Sequence, residues 1–524
     1  MSVDSPRLRL TALLDPRPGD TDTVAVHSEA REVTRAELRV GALALADRLR
    51  AVGVRPGQAV AVMSADGADT VAALFGVWFA EAVYVPLNPR LTDRELAHVL
   101  GEVRPAAIVA SGAGTERFPG RQVIEACGRG GSYAWSARAA DSTRSPDAAA
   151  PPPSAHTPDT ALIQFTSGTT GPPKPVLLRH SGISALLEPV LAKLVGAGRK
   201  PRADPMPNLI PTSLSLWAGI YNVLFAFRVG APVVLMERFD TRRFAGYVRR
   251  FKIRSVVLPP AAMMMLTDDA AVADLAPLAY VRSITAPLSP FQARRFRDRF
   301  GITVLNCYGQ TEIGGEIVGW NAADARAHGE TKLGAVGRPH DGVALAIRDD
   351  DGTDLSRGAS GELWVRTPAL ADGYANGSGL ADRLDPDGWF RTGDIGRVDA
   401  DGFLWIDGRA SDMINRGGLK VFPAEVAEVL GAAPGVAEAA VVGVPDPRLG
   451  EVPWAVVVPR TPGGIDAVVL DAWCREHLAP FKVPVRYATV DALPRTEAGK
   501  VRTAELAALA RDAPDAPTPG GTAP

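Results

Sequence analysis

Apolar positions fall into short β-branched runs separated by longer segments in which they recur every three or four residues. "AVAVMS" (59–64) leads into the helical pattern "ADTVAALFGVWFAEA" and then into "VYVPLN" (83–88). The long apolar stretch Val71–Leu87 is broken by Glu81 and Pro86, so it reads as a buried helix followed by a strand, not as a membrane span. Further strand-like runs are "ALIQF" (161–165), "APVVLM" (231–236), "SVVLPP" (255–260), "VRSIT" (281–285) and "TVLNCY" (303–308). Short runs of this kind alternating with helices predict parallel sheets covered by helices. After Leu333 the pattern changes to "VALAIRDDDGTDL", "GELWVRT" and "GFLWIDGR", strands joined by DDDG and DADG turns. That suits a β-barrel-like antiparallel subdomain. From about Ser411 a compact α+β pattern begins. Ser136–Asp159, rich in Pro, Ala and Ser, and Arg511–Pro524, rich in Pro and Ala, are expected to be unstructured.

Composition narrows this picture. With 524 residues the chain is long enough for two or three domains, and at 46% apolar residues it is globular. Lys and Arg number 57 against 59 acids, a net charge of -2, which gives no general attraction to nucleic acid or anionic membrane. Cys127, Cys307 and Cys474 are widely spaced, which suggests neither a disulfide framework nor a zinc site. The N-terminal apolar run before Asp15 is too short for a secretory signal. A cytoplasmic protein, monomeric or homodimeric, with no nucleic-acid or membrane partner is expected.

One stretch fits neither helix nor strand. "FTSGTTGPPKPVLLRH" (165–180) packs hydroxyl residues and glycines together, then prolines and a lone lysine. Such a run is costly to order, so it is either a flexible linker or a loop that wraps a ligand. It follows the strand-like "ALIQF", and ligands bind at the carboxyl ends of strands in open parallel sheets. Glycines allow close backbone approach to a polyphosphate, hydroxyl and N–H groups donate to its oxygens, and Lys174 adds a point charge. The spacing is not that of the GxxxxGK[ST] phosphate loop.

The loop resembles the phosphate loop of the AMP-forming adenylating superfamily, which includes acid–CoA ligases, luciferases and adenylation domains. The remaining motifs occur in that family's order: "VYVPLNPRLTDREL" (83–96), "SITAPLSP" (283–290), "NCYGQTEIGG" (306–315), "WFRTGDIG" (389–396), "GRASDMINRGGLKVFPAEV" (408–426) and "LPRTEAGKVR" (493–502). The resemblance implies a large α/β adenylating domain (1–408), a hinge (409–412), a small mobile α+β domain (413–510) and a disordered tail (511–524). It implies ATP, Mg²⁺ and coenzyme A as reactants with a small-molecule acid, and a C-terminal domain that rotates between two half-reactions. By resemblance Thr166, Ser167, Gly168, Thr169, Thr170, Gly171 and Lys174 hold the β- and γ-phosphates. Ala286, Tyr308 and Gly309 lie beside the adenine, with Tyr308 stacked on it. Thr311 donates to the α-phosphate, and Glu312, with Thr166, ligates Mg²⁺. Asp394, in a Thr-Gly-Asp turn, takes the ribose hydroxyls; Arg409 reaches the ribose or α-phosphate, and Lys500 bridges the acid carboxylate and the α-phosphate.

Departures from the pattern bear mainly on substrate. Pro175 stands where the family has glycine, and Ser411 occupies the hinge position usually held by Asp or Lys. In "IPTSLSLWAGIYN" (210–222), Ser213 or Leu214 replaces a frequent histidine, and Trp217, Gly219, Ala286 and residues 309–315 are expected to line the acid pocket. Acid–CoA ligation is the leading expectation. Activation of nitrite for diazotisation of an arylamine, transfer to an amine or carrier-protein thiol, and a non-catalytic nucleotide-binding regulator are the alternatives.

Overall fold

The computed structural model describes residues 9–17, 23–126, 133–138, 156–166, 173–195, 205–377, 379–461, 464–496 and 499–512. Its largest sheet has seven strands in the spatial order Trp135–Arg138, Val123–Ala126, Ala107–Ala110, Ala59–Met63, Val83–Pro86, Thr160–Phe165 and Pro175–Arg179. The inner five are parallel, and the two edge strands run antiparallel to their neighbours. Side chains alternate between two buried faces, as a strand's period of two requires. Val60, Val62, Tyr84 and Leu162 pack with the helices Arg35–Ala51 and Ala68–Phe79. Ala59, Ala61, Met63, Val83, Val85 and Ile163 pack on the other face with the helix Asp93–Val103. Thr34 and Thr92 start two of these helices, each in a reciprocal capping box with Glu37 or Glu95.

A second layered unit is built on the all-parallel sheet Ser255–Leu258, Tyr280–Ser283, Thr303–Asn306. A small antiparallel sheet, Tyr308–Gln310 with Gly315–Gly319 and Arg338–Pro339, continues from its last strand. The antiparallel subdomain expected after Leu333 is a four-stranded meander, Ala344–Arg348, Gly361–Arg366, Phe390–Val398 and Leu404–Arg409. Beyond it, Leu419–Val421, Ile414–Arg416, Gly450–Pro459 and Val436–Asp446 form a sheet, with Arg486–Thr489 added in parallel to Gly450–Pro459. Helices Pro423–Gly431 and Ala467–His477 cover it through a separate core of Val426, Leu430, Leu470 and Cys474. The chain is thus a large α/β domain followed by a small α+β domain.

Three local expectations need correction. Thr392–Asp394 is not a free turn but part of the nine-residue strand Phe390–Val398. The strand accommodates it by a bulge against Gly361–Arg366, with Gly393 at φ +75°, a conformation that favours glycine. Ser136–Arg138 belong to an edge strand rather than a loose connection, because Trp135 pins them: its indole donates to the Gly41 carbonyl at 2.9 Å, and Arg48 donates to its own carbonyl at 3.2 Å. Arg511 and Asp512 end the helix Thr503–Asp512 and are not tail. Residues 156–159 are ordered as well, the His156 N–H donating to the Gly57 carbonyl at 2.7 Å and Asp159 Oδ1 accepting from the Ser181 N–H at 3.0 Å, and the remainder of both stretches, residues 139–155 and 513–524, lies outside the described residues. No helix among the described residues is long and apolar enough to cross a membrane.

Candidate active site

A cleft of about 1460 Å³ lies between the two domains and the parallel sheets. Thr166, Ala286, Tyr308, Gly309, Thr311, Glu312, Asp394, Arg409 and Lys500 all line it. Ser167, Gly168, Thr169, Thr170 and Gly171 lie outside the described residues. The ends of their loop are fixed: Thr166 N–H donates to the Lys174 carbonyl at 3.0 Å, and Lys174 N–H donates to Thr166 Oγ1 at 3.3 Å.

Asp394 is the best-defined anchor. It sits directly opposite Arg409 across the last two strands of the meander, and is 4% exposed. Its Oδ2 accepts from the Tyr308 hydroxyl at 2.7 Å and from Gln310 Nε2 at 2.6 Å, and its Oδ1 lies 3.2 Å from Arg409 Nε. Each carboxylate oxygen offers two lone pairs, so Oδ2 is filled and Oδ1 has room for one more donor. Both ribose hydroxyls cannot be accommodated while Arg409 keeps this position. Burial, and then the Asp394 charge, hold the Tyr308 phenol well above its ordinary pKa, so it stays a donor.

Glu312 lies in the 3-10 turn Thr311–Ile313 between two short antiparallel strands. Its Oε1 accepts from the Tyr374 hydroxyl at 3.2 Å, and the Lys174 ammonium stands 5.3 Å above the Tyr374 ring. Tyr374 therefore links the phosphate-loop lysine to the carboxylate. Gly309 allows the turn to close: a Cβ there would sit 1.8 Å from the Gly315 carbonyl oxygen. Thr285, in the loop carrying Ala286, has φ +74°, a region that β-branched residues rarely adopt.

Lys500 reaches the same space from the other domain. Its backbone is clamped by Thr496, whose N–H donates to the Lys500 carbonyl at 2.7 Å and whose Oγ1 accepts from Lys500 N–H at 3.2 Å. Burial and the nearby Arg409 charge lower the Lys500 pKa, while Glu312 and Asp394 oppose that shift. Lys500 is accordingly half-buried in the cleft rather than a free surface lysine.

Magnesium favours one or two carboxylates together with phosphate oxygens. Glu312 supplies one carboxylate to the cleft that Thr166 also lines, and among the described residues no group of three or more His, Cys, Asp or Glu is arranged for a metal. This donor set fits a cation that arrives on a triphosphate. Trp217 lines the cleft, with its indole donating to the Gly314 carbonyl at 2.9 Å. Gly219 does not line it; it faces the Ser213 carbonyl, which a Cβ would meet at 2.2 Å.

Residues 17–375 match the family described as AMP-binding enzyme, and residues 425–500 match the AMP-binding enzyme C-terminal domain. The chain belongs to the AMP-binding enzyme family. An indoleacetate–CoA ligase from Aromatoleum aromaticum is 33% identical over 510 residues, covering 94% of this chain and 95% of that protein. The solved structure of the amide bond synthetase McbA from Marinactinospora thermotolerans superposes with a TM-score of 0.80 at 30% identity, covering 95% of this chain and 99% of that one. ATP-bound MatB from Rhodopseudomonas palustris gives 0.82 at 26% identity, covering 96% and 99%. Arg282 and Glu316, on the cleft wall, and Tyr374, which holds Glu312, are residues that motif reading missed. The first two left a signal, a charge inside an otherwise apolar strand pattern in "YVRSIT" and "GGEIVGW".

Proposed function

We propose that this AMP-binding enzyme activates a small-molecule carboxylic acid with ATP and passes the acyl group to coenzyme A. The acid carboxylate attacks the α-phosphorus and pyrophosphate leaves; the coenzyme A thiol then attacks the acyl carbon, and AMP leaves. The convergence of Lys500, Arg409, Glu312 and Asp394 on one cleft, from two domains, carries the reading. The indoleacetate–CoA ligase supports coenzyme A as acceptor, and the ATP-bound relative supports the nucleotide.

In this reading residues 166–174 hold the β- and γ-phosphates, Thr311 donates to the α-phosphate, and Tyr308 faces the adenine together with Ala286 and Gly309. Asp394 takes one ribose hydroxyl on the free lone pair of Oδ1, and a second only when Arg409 turns to the α-phosphate. Lys500 pairs with the carboxylate and an α-phosphate oxygen as charge builds there. Glu312 and Thr166 would hold Mg²⁺, which neutralises phosphate charge. We place the large domain at residues 1–408, the hinge at 409–412 and the mobile domain from 413 to about 510.

Acid-dependent exchange of labelled pyrophosphate into ATP tests the first step, and coenzyme A-dependent release of AMP tests the second. Lys500→Ala should lose roughly 10²–10³-fold or more in exchange, as expected for one preorganised charge, while still converting supplied acyl-AMP to thioester. Exchange near the unaltered rate would remove Lys500 from the first step. AMP release that depends on an amine or a carrier protein, as acceptor of the acyl group, and not on coenzyme A would change the acceptor and leave the first step intact.

A further inference from the structure

One wall of the cleft carries charge that adenylation does not use. Arg282, on the strand Tyr280–Ser283, pairs through Nη2 with Oε1 of Glu316, on the strand Gly315–Gly319. His340 Nε2 lies 3.2 Å from the same oxygen. Cys307 and Tyr221 stand beside the pair and, with it, line the cleft. Behind them the Lys193 ammonium donates to the Gly319 and Arg338 carbonyls, both at 2.8 Å. A buried ion pair is often no more stabilising than apolar residues of the same volume, so folding alone gives little reason to place one here.

The polar atoms differ in what they present to the cleft. Arg282 Nη1 and the Tyr221 hydroxyl have no hydrogen-bond partner, but both are closed off from its surface. The Glu316 side chain keeps 13% exposure. Its Oε1 is engaged by Arg282 and His340, and the adjacent Cys307 thiol, which lies 3.3 Å from the Ser283 carbonyl, is also within hydrogen-bond reach of the carboxylate. Burial acts to raise the Glu316 pKa, but Arg282, then His340 and Cys307, outweigh it and hold it at about 2, so the carboxylate on the cleft wall is anionic at neutral pH. Trp217 and Tyr221, their rings edge-on at 5.7 Å, give the same region an aromatic wall.

We propose that the acid carries, at the end remote from its reacting carboxyl, an N–H or O–H group that donates to the Glu316 carboxylate. The substrate class is then a hydroxyl- or amino-substituted acid, with an aromatic ring against Trp217 and Tyr221. This rests on the acid-activating reading above. The anionic carboxylate attracts a donor, rejects a second carboxylate, and gains nothing from a methyl group of similar size.

Calorimetric binding to the full chain, with AMP present, tests it on benzoates and cinnamates bearing hydroxyl, amino, methyl or a second carboxyl at matched ring positions. The hydroxyl or amino acid should bind about 10–100-fold more tightly than its methyl counterpart, the range for one hydrogen bond to a charged group, with the dicarboxylate weakest. Glu316→Gln should shrink that preference about tenfold. Equal binding of the methyl acid would overturn the proposal, and so would tightest binding of the dicarboxylate, which would make Arg282 the reader. Should Glu316→Gln not fold, the ligand series on the unaltered chain decides alone. A donor preference in binding without pyrophosphate exchange on any acid would sink acid activation and leave Glu316 as the reader of the bound donor; exchange without a donor preference would overturn this proposal and leave acid activation standing.

Discussion

Glu312 does not act alone, because the Tyr374 hydroxyl holds one of its oxygens and the Tyr374 ring lies beneath the Lys174 ammonium. Glu312→Gln keeps the shape and the hydrogen bond but removes the charge a hard cation needs. A magnesium titration of exchange activity should then shift to concentrations at least tenfold higher, with little change in acid affinity. Tyr374→Phe keeps the ring and frees the carboxylate, so its shift should be smaller, by a few-fold, with no loss of thermal stability. An unchanged titration in Glu312→Gln would end its assignment to the metal. Motif order made Glu312, Asp394, Arg409 and Lys500 legible in the sequence. Tyr374 was not, because its role comes from a loop that the Ala371 N–H to Glu312 carbonyl bond at 2.8 Å brings to Glu312, a contact between distant positions.

At the scale of elements, periodicity made the parallel strands readable because both of their faces are buried. It failed at Phe390–Val398, where Thr-Gly-Asp carries turn chemistry inside a strand and only pairing on both sides keeps it extended. The junction between the strand Pro175–Arg179 and the helix His180–Val195 offers a test of stability. The His180 ring packs edge-on against Trp78 at 5.3 Å, and its Nδ1 is buried without a partner. Burial lowers the His180 pKa from 6.5 to about 4, against a weaker upward pull from Asp159. Between those values the unfolded chain binds a proton that the folded chain refuses, so this group lowers stability as pH falls from about 6.5 towards 4 and contributes no slope above. At about 1.4 kcal/mol per pH unit the full effect is at most about 3 kcal/mol. Urea unfolding at pH 7 and pH 4.5 should show a smaller acid loss in His180→Phe, which keeps the ring contact without titrating. Equal losses in the two proteins would mean that His180 is not buried as described.

For the whole molecule, the decisive feature is that the present arrangement brings Lys500 to the side of the cleft that holds Arg409, Glu312 and Asp394. On the proposed reading the small domain turns for acyl transfer, and a few junction residues absorb the backbone change. Ser411 is exposed and lies in the 3-10 turn Ala410–Asp412, with its hydroxyl donating to Asp412 Oδ1 at 3.0 Å. A 3-10 turn has φ of about −50 to −70°, which proline also adopts, so Ser411→Pro is compatible with the arrangement seen here. It is not compatible with a rotated state that needs a different φ at this position. The variant should therefore form acyl-AMP at close to the unaltered rate and fail to make thioester, with exchange preserved and coenzyme A-dependent turnover lost by about 10²-fold or more, the cost expected when reacting groups cannot reach their geometry. Rapid-quench measurement of acyl-AMP and of thioester separates the two steps. Equal slowing of both, or of neither, would mean that the two half-reactions do not pivot at Ser411.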